Sequence, residues 1–310
     1  MSERAVWRSI GRVLLVAAVL VGAVGTWSWL ASQSQREQHV YWQPVAAVEV
    51  DGGGADVKIA AGAADRVTVQ ESMEWAIRKP AVSLRLVGQT LKIKAQCRTP
   101  FVTNLCSVSL TVQVPAQTSV QTLSGSGATE VTGTSGKVRA QAQSGQVVLH
   151  GLSGQVWAQC TSGEIIGTGL GSSQVQAAVS SGRIDLGFAK PPQSVTATAT
   201  SGTVRVSVPP DGVGYRVDGH TTSGSWMVDP SLNSTGSPRH IDVSLTSGDV
   251  EVLPTPPGAA ADSSSVSTTP TTEPTVPATP TTRPTSEPSQ STGPSQTTGL
   301  SQSTEPTQPH

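Results

Sequence analysis

The stretch Ser181-Gly182-Arg183-Ile184-Asp185-Leu186 decides how the chain is read. A Ser-Gly pair is followed by alternating aliphatic residues, and the unit recurs. Gly127, Gly145, Gly163, Gly182, Gly202, Gly224 and Gly248 each follow a serine, at steps of 18, 18, 19, 20, 22 and 24 residues. A near-constant period of this length marks a stacked repeat. Two positions after each glycine stand Thr129, Val147, Ile165, Ile184, Val204, Trp226 and Val250. Two further on stand Val131, Leu149, Gly167, Leu186, Val206, Val228 and Val252. That alternation is the period of a strand with one face buried.

A second strand precedes each following Ser-Gly. Its inward columns read Val138, Val156, Val175, Val195, Tyr215, Ile241, then Ala140, Ala158, Ala177, Ala197, Val217, Val243, then Ala142, Cys160, Val179, Ala199, Gly219, Leu245. Each coil is expected to run strand, loop, strand, Ser-Gly turn. The whole is expected to be all-β, a flattened two-sheet β-solenoid resembling a β-helix, with a core narrowed by the alanines. The glycines suit corners that need positive φ or a close approach to the next coil. The serine hydroxyls could bond backbone at those turns. An ordinary β-sandwich with Gly-rich turns is the alternative, and seven in-phase repeats count against it.

Outside the repeats the chain changes character several times. Residues 1–12 carry Arg4, Arg8 and Arg12 against Glu3, and 13–31 hold no charge. Nineteen such residues are enough to cross a bilayer as a helix. Trp27 and Trp29 suit the interface, and the arginines place the N-terminus in the cytoplasm. A cleaved signal peptide competes, but Ala31 with Trp29 two positions before it is a poor cleavage site. The expectation is an uncleaved single-pass anchor in the cell membrane, with the main domain extracytoplasmic.

Residues 32–44 read as a polar linker. From Val45 to Leu123 short period-two strands alternate with Gly-rich turns, not yet in the Ser-Gly phase. They are expected to form wider first coils and to cap the stack, since an open solenoid end exposes unpaired backbone. The β-solenoid is therefore set at 45–253. Beyond Pro254 the composition turns to Pro, Thr, Ser, Glu and Gln, which cannot bury enough apolar surface to order itself. Residues 254–310 are expected to be a disordered tail.

The chemistry-bearing residues are sparse. Cys97 and Cys106 join two strands, and in an extracytoplasmic chain a hairpin spacing of this kind reads as a disulfide. Cys160 lies in an inward column and reads as a small buried hydrophobe. His39, His150, His220, His240 and His310 show no ligand spacing, and no phosphate loop or nucleophile elbow occurs. Paired carboxylates for hydrolysis are missing. No cofactor, metal or enzymatic activity is expected. A net charge of −1 with 13% charged residues argues against nucleic acid.

The outward columns carry Glu164 beside Arg183 and Asp185 beside Arg205, expected as ladder ion pairs of small worth. The outward glutamines Gln141, Gln143, Gln155, Gln159, Gln174 and Gln176 have two readings. They form amide ladders between coils, or they present a polar surface to glycan or peptidoglycan.

The repeated Ser-Gly-x-Val/Ile-x-Val/Leu units, as in Ser247-Gly248-Asp249-Val250-Glu251-Val252, together with Val112-Gln113-Val114-Pro115-Ala116-Gln117-Thr118, resemble the bacterial putative-adhesin family. The resemblance covers about Val45 to Leu253. It implies a β-solenoid domain of unknown function without catalytic residues. The expected role is a cell-envelope structural or adhesion module. Its partners would be the membrane, through the N-terminal helix, and a cell-wall glycan or another envelope protein. The alternative is an envelope-stress or signalling partner that binds a membrane protein or a cell-wall intermediate. The oligomeric state is not legible.

Overall fold

The structure, a computed structural model, describes residues 33–75, 78–97 and 106–255. The expected anchor at 13–31 and nearly all of the expected tail lie outside the described residues. Among the described residues no helix is long and apolar enough to cross a membrane. The named elements are all strands, sixteen in number, joined in one sheet.

The repeat region is built from long parallel strands. These are β10 (Val138–His150), β11 (Val156–Leu170), β12 (Gln174–Phe188) and β13 (Ser194–Val208), with the last strand, β16 (His240–Pro254), stacked on β13. Their register follows the Ser-Gly pairs, with Gly145 opposite Gly163, Gly163 opposite Gly182, Gly182 opposite Gly202 and Gly202 opposite Gly248.

Here the expectation of turns between separate strands needs correction. Gly145, Gly163, Gly182, Gly202 and Gly248 lie inside continuous strands and bend them. In β12 the buried residues are Val175, Ala177 and Val179 before the bend and Ile184, Leu186 and Phe188 after it. The phase shifts from odd to even across Ser-Gly, with consecutive exposed residues at Ser180 and Ser181 between the two halves. The shift keeps both halves facing the same core. Only Gly127, between β8 (Ser119–Ser124) and β9 (Thr129–Thr132), and Gly224, between β14 (Arg216–Ser223) and β15 (Trp226–Val228), connect separate strands.

Gly182 shows why no other residue serves at the bend. Its φ is 140°, a region L side chains rarely adopt. A Cβ there would also stand 1.8 Å from the Gly163 carbonyl oxygen on the neighbouring coil, far short of contact distance. The serines do not play the expected part. Ser144, Ser162, Ser181, Ser201 and Ser247 are exposed, and no hydrogen bond joins their hydroxyls to another described residue. They are small, polar residues at an outward corner.

The inward columns hold for four coils and then change. Val156, Val175 and Val195 stack as read, as do Ala158, Ala177, Ala197 and Cys160, Val179, Ala199. The next strand in space is β16, which lies between β13 and β14 although it comes last in sequence. Ile241 therefore follows Val195 directly. The penultimate repeat is also two residues out of the expected register. Val217 pairs with Ile241, Gly219 with Val243 and Thr221 with Leu245. Tyr215 leaves the column and bridges Asn233. It is fully buried there, and its hydroxyl donates to the Pro209 carbonyl at 3.0 Å. Burial and the nearby Asp211 push its pKa up to about 12.

The N-terminal strands extend the stack in the other direction. β2 (Ala47–Gly53) and β3 (Asp56–Ala61) lie beside β8 and β9. Outside them come β6 (Thr90–Gln96) and β7 (Cys106–Val114), pairing β2 and β3 in parallel. Antiparallel strands close this end: β5 (Ala81–Val87) on β6, and β4 (Val67–Trp75) on β7 with β1 (Gln33–Tyr41) beyond it. The stretch read as a linker at 32–44 thus contains a strand. Its polar residues concealed a period of two, with Gln35, Glu37, His39 and Tyr41 half-buried on one side.

Buried residues from both halves of the coils and from the end strands form one hydrophobic cluster. Among the described residues four buried threonines, Thr118, Thr122, Thr129 and Thr134, have hydroxyls without a hydrogen-bond partner.

Two variants test the register. Ile184 is fully buried and Arg183 is exposed. Ile184→Asp places a carboxylate in a dry core and is expected to cost about 3 kcal/mol or more. Arg183→Asp is expected to stay within about 0.5 kcal/mol. Denaturant titration of both proteins checks this, and a larger loss for the Arg183 variant would contradict the observed faces.

Candidate functional site

The outward face of the first half-strands holds the most chemistry in the repeat region. Along β10, β11, β12 and β13, Arg139, Trp157, Gln176 and Thr196 stand side by side in register, and Asp242 of β16 continues the row. A neighbouring row runs Gln155, Gln174, Ser194 and His240. Together with Lys137 these residues, Asp242 excepted, line an open groove of about 640 Å³. The strand period puts these side chains outward because Val156, Ala158, Val175 and Ala177 alternate with them and point into the core.

Trp157 is the single aromatic among these outward positions. The Arg139 guanidinium lies over its ring, with Cζ 3.9 Å from the centroid. This cation–π contact holds the indole in place across two coils. On the other side of the indole the groove continues over Gln176 and Thr196.

The amides divide between the two readings. Gln155 donates to the Gln174 carbonyl oxygen of the next coil, which is one rung of a ladder. The side-chain amides of Gln141, Gln159 and Gln176 make no hydrogen bond to another described residue. Ser194 Oγ and His240 Nε2 are 2.8 Å apart at the end of the groove. The ion pairs also differ from expectation. Arg205 pairs with Glu251 at 2.7 Å and not with Asp185, and Glu164 accepts from Gln146 Nε2 at 3.3 Å and not from Arg183. Both expected partners do stand opposite in register. Arg205 has a carboxylate on either side and its fork engages the one on β16.

The sequence reading passed over Arg139 and Trp157. The signal was present, because Trp157 stands between Val156 and Ala158 at an outward position where other coils carry Arg, Gln, Thr or Asp.

Cys97 and Cys106 form a disulfide, with Cα atoms 6.1 Å apart. It does not close a hairpin. β6 pairs with β2 and β5, and β7 with β3 and β4, so the bridge joins the two halves of one coil at its corner. That corner has no Ser-Gly. Cys160 is free and buried in the alanine column. Burial raises its thiol pKa, which disfavours the reactive thiolate.

Residues 116–253 match the Toastrack family, DUF4097. The Ser-Gly units that carried the resemblance all fall in this Toastrack region. Among curated proteins none matches the chain. Solved structures similar to it include a putative adhesin from Bacteroides fragilis, 13% identical, covering 70% of this chain and 97% of that one at a TM-score of 0.40. A putative cell adhesion protein from Clostridium sporogenes is 10% identical, covering 71% of this chain and 100% of that one at a TM-score of 0.32. A putative lipid binding protein from Parabacteroides distasonis is 14% identical, covering 71% and 97% at a TM-score of 0.32.

The cysteines give a direct test. Native full-length protein treated with an alkylating agent should take up no label. In denaturant without reductant it should take up one, on Cys160. After reduction it should take up three. Intact-mass spectrometry reads the count, and label on Cys160 in the native state would contradict its burial.

Proposed function

We propose that this protein is a non-enzymatic binding module of the cell envelope, and that the Arg139–Trp157 face of its Toastrack region takes a glycan strand. The observation that carries this reading is Trp157, an indole fixed by a stacked guanidinium beside Gln176, whose side-chain amide makes no hydrogen bond to another described residue. Sugars are recognised by an apolar ring against one face and by amides and hydroxyls at the edges, and the groove supplies both kinds of group. The rows of Gln, Ser and Thr repeat at the strand spacing, so successive units of an extended polymer meet equivalent partners.

Within this proposal each Ser-Gly bend folds the sheet into two walls, giving a flattened solenoid. Residues 13–31 anchor it in the membrane from a cytoplasmic N-terminus, and the chain beyond Thr255 lies outside the cell.

A second reading, docking of another envelope protein, has one observation in its favour. At the end of the stack β14 and β15 pair only with β16 among the described residues, and Trp226 and Met227 are exposed there. An unpaired edge beside apolar side chains is a place for strand addition.

Binding to insoluble peptidoglycan and to immobilised glycans tests the first reading. Trp157→Ala and Arg139→Ala should each weaken binding about tenfold, a loss of about 1.4 kcal/mol, while the melting temperature shifts little. Unchanged binding by Trp157→Ala would refute the assigned face. The anchoring is tested separately by a C-terminal tag, which should be labelled on intact cells. Protection of the tag until lysis would reverse the topology.

A further inference from the structure

The end cap contains a polar cluster that the glycan face does not involve. In the antiparallel pair of β1 and β4, Glu37 stands directly opposite Glu71, and His39 opposite Val69. Carboxylates directly opposite on a sheet repel each other. The arrangement is more costly here because Glu71 lies among apolar residues. On its other side it is paired with Leu110 of β7, and Val69 and Met73 flank it two residues away on β4. All three of those neighbours are buried, and Glu71 itself is only 3% exposed.

The Glu71 carboxylate makes no hydrogen bond to another described residue. Among the described residues its one partner within ion-pair distance is His39, with Nε2 4.0 Å from Oε1. His39 Nε2 also lies 3.6 Å from Glu37 Oε2. One donor atom from each of Glu37, His39 and Glu71 falls within 4.8 Å of the others. The second oxygen of Glu37 is held from outside the cluster, by Gln35 Nε2 at 2.5 Å and Lys79 Nζ at 3.7 Å. Burial raises the Glu71 pKa.

We propose that Glu37, His39 and Glu71 form a binding site for a divalent transition cation of the zinc type. Around a tetrahedral ion bound at about 2.1 Å, ligand atoms stand roughly 3.4 Å apart, and the two His39 separations are already near that value. A neutral imidazole with two carboxylates is a donor set for zinc, whereas calcium takes six to eight oxygens. The three side chains leave a coordination position for water. The ion supplies what the pair of acids lacks, a positive charge between two facing carboxylates. It also ties β1, the outermost strand, to β4.

The test uses the purified full-length protein stripped with EDTA and then titrated with ZnCl₂ or CaCl₂, followed by calorimetry and thermal melting. Zinc is expected to bind at one site and raise the melting temperature by several degrees, and calcium to do neither. His39→Ala and Glu37→Gln should melt in EDTA close to wild type and lose the zinc shift. Glu71→Gln should melt higher than wild type in EDTA, because a buried charge is removed, and should also lose the zinc shift. That pairing of opposite effects separates a ligand from a merely structural residue. No zinc binding by the wild type, a zinc shift that survives in His39→Ala, or a shift with calcium and none with zinc would each overturn the proposal.

Discussion

The fold depends on how closely neighbouring coils approach at the Ser-Gly bend. There one glycine sits under the carbonyl of the glycine before it, at Gly145, Gly163, Gly182, Gly202 and Gly248 in turn. With no Cβ to hold them apart, the strands pair through the bend and keep register on both sides of it. The bend turns the inward face over, and the alanine columns let the two halves of each coil share one core. Sequence period, strand register and core width are thus consequences of a single steric requirement.

Much of this was legible because the requirement leaves a local trace. Ser-Gly recurs, and the residues two and four places after it alternate. Ile184, Val204 and Val250 were placed on the inward face from that pattern alone, and all three are fully buried. What could not be read was the order of coils in space. The repeat after Gly202 in sequence is the Gly224 unit, yet β16 is the strand that lies against β13. A periodic pattern says that units stack but not which unit is whose neighbour, because each offers the same apolar face. The two-residue slip at Tyr215 followed from the same ambiguity, since Tyr215 and Val217 are equally suited to an inward place.

The binding face and the end cap were obscured for different reasons. Outward residues are free of the packing constraint, so Arg139 and Trp157 carry no periodic signature, and only the odd presence of an indole among polar side chains marks them. In β1 the inward residues are Gln35, Glu37, His39 and Tyr41, which composition alone assigns to a linker. Glu71 was the better clue. It occupies an inward place in the run from Val67 to Met73, where an acid is expensive to bury.

The placement of β16 has a mechanical consequence. The last described residues leave the fold from a strand hydrogen-bonded along both flanks, to β13 on one side and to β14 and β15 on the other. Tension applied through the chain beyond Thr255 cannot peel this strand from an open edge. It must draw the strand out from between two neighbours, loading both ladders together. A chain exit secured in this way transmits pulling force into the middle of the sheet, where a strand that merely ended the stack would detach first.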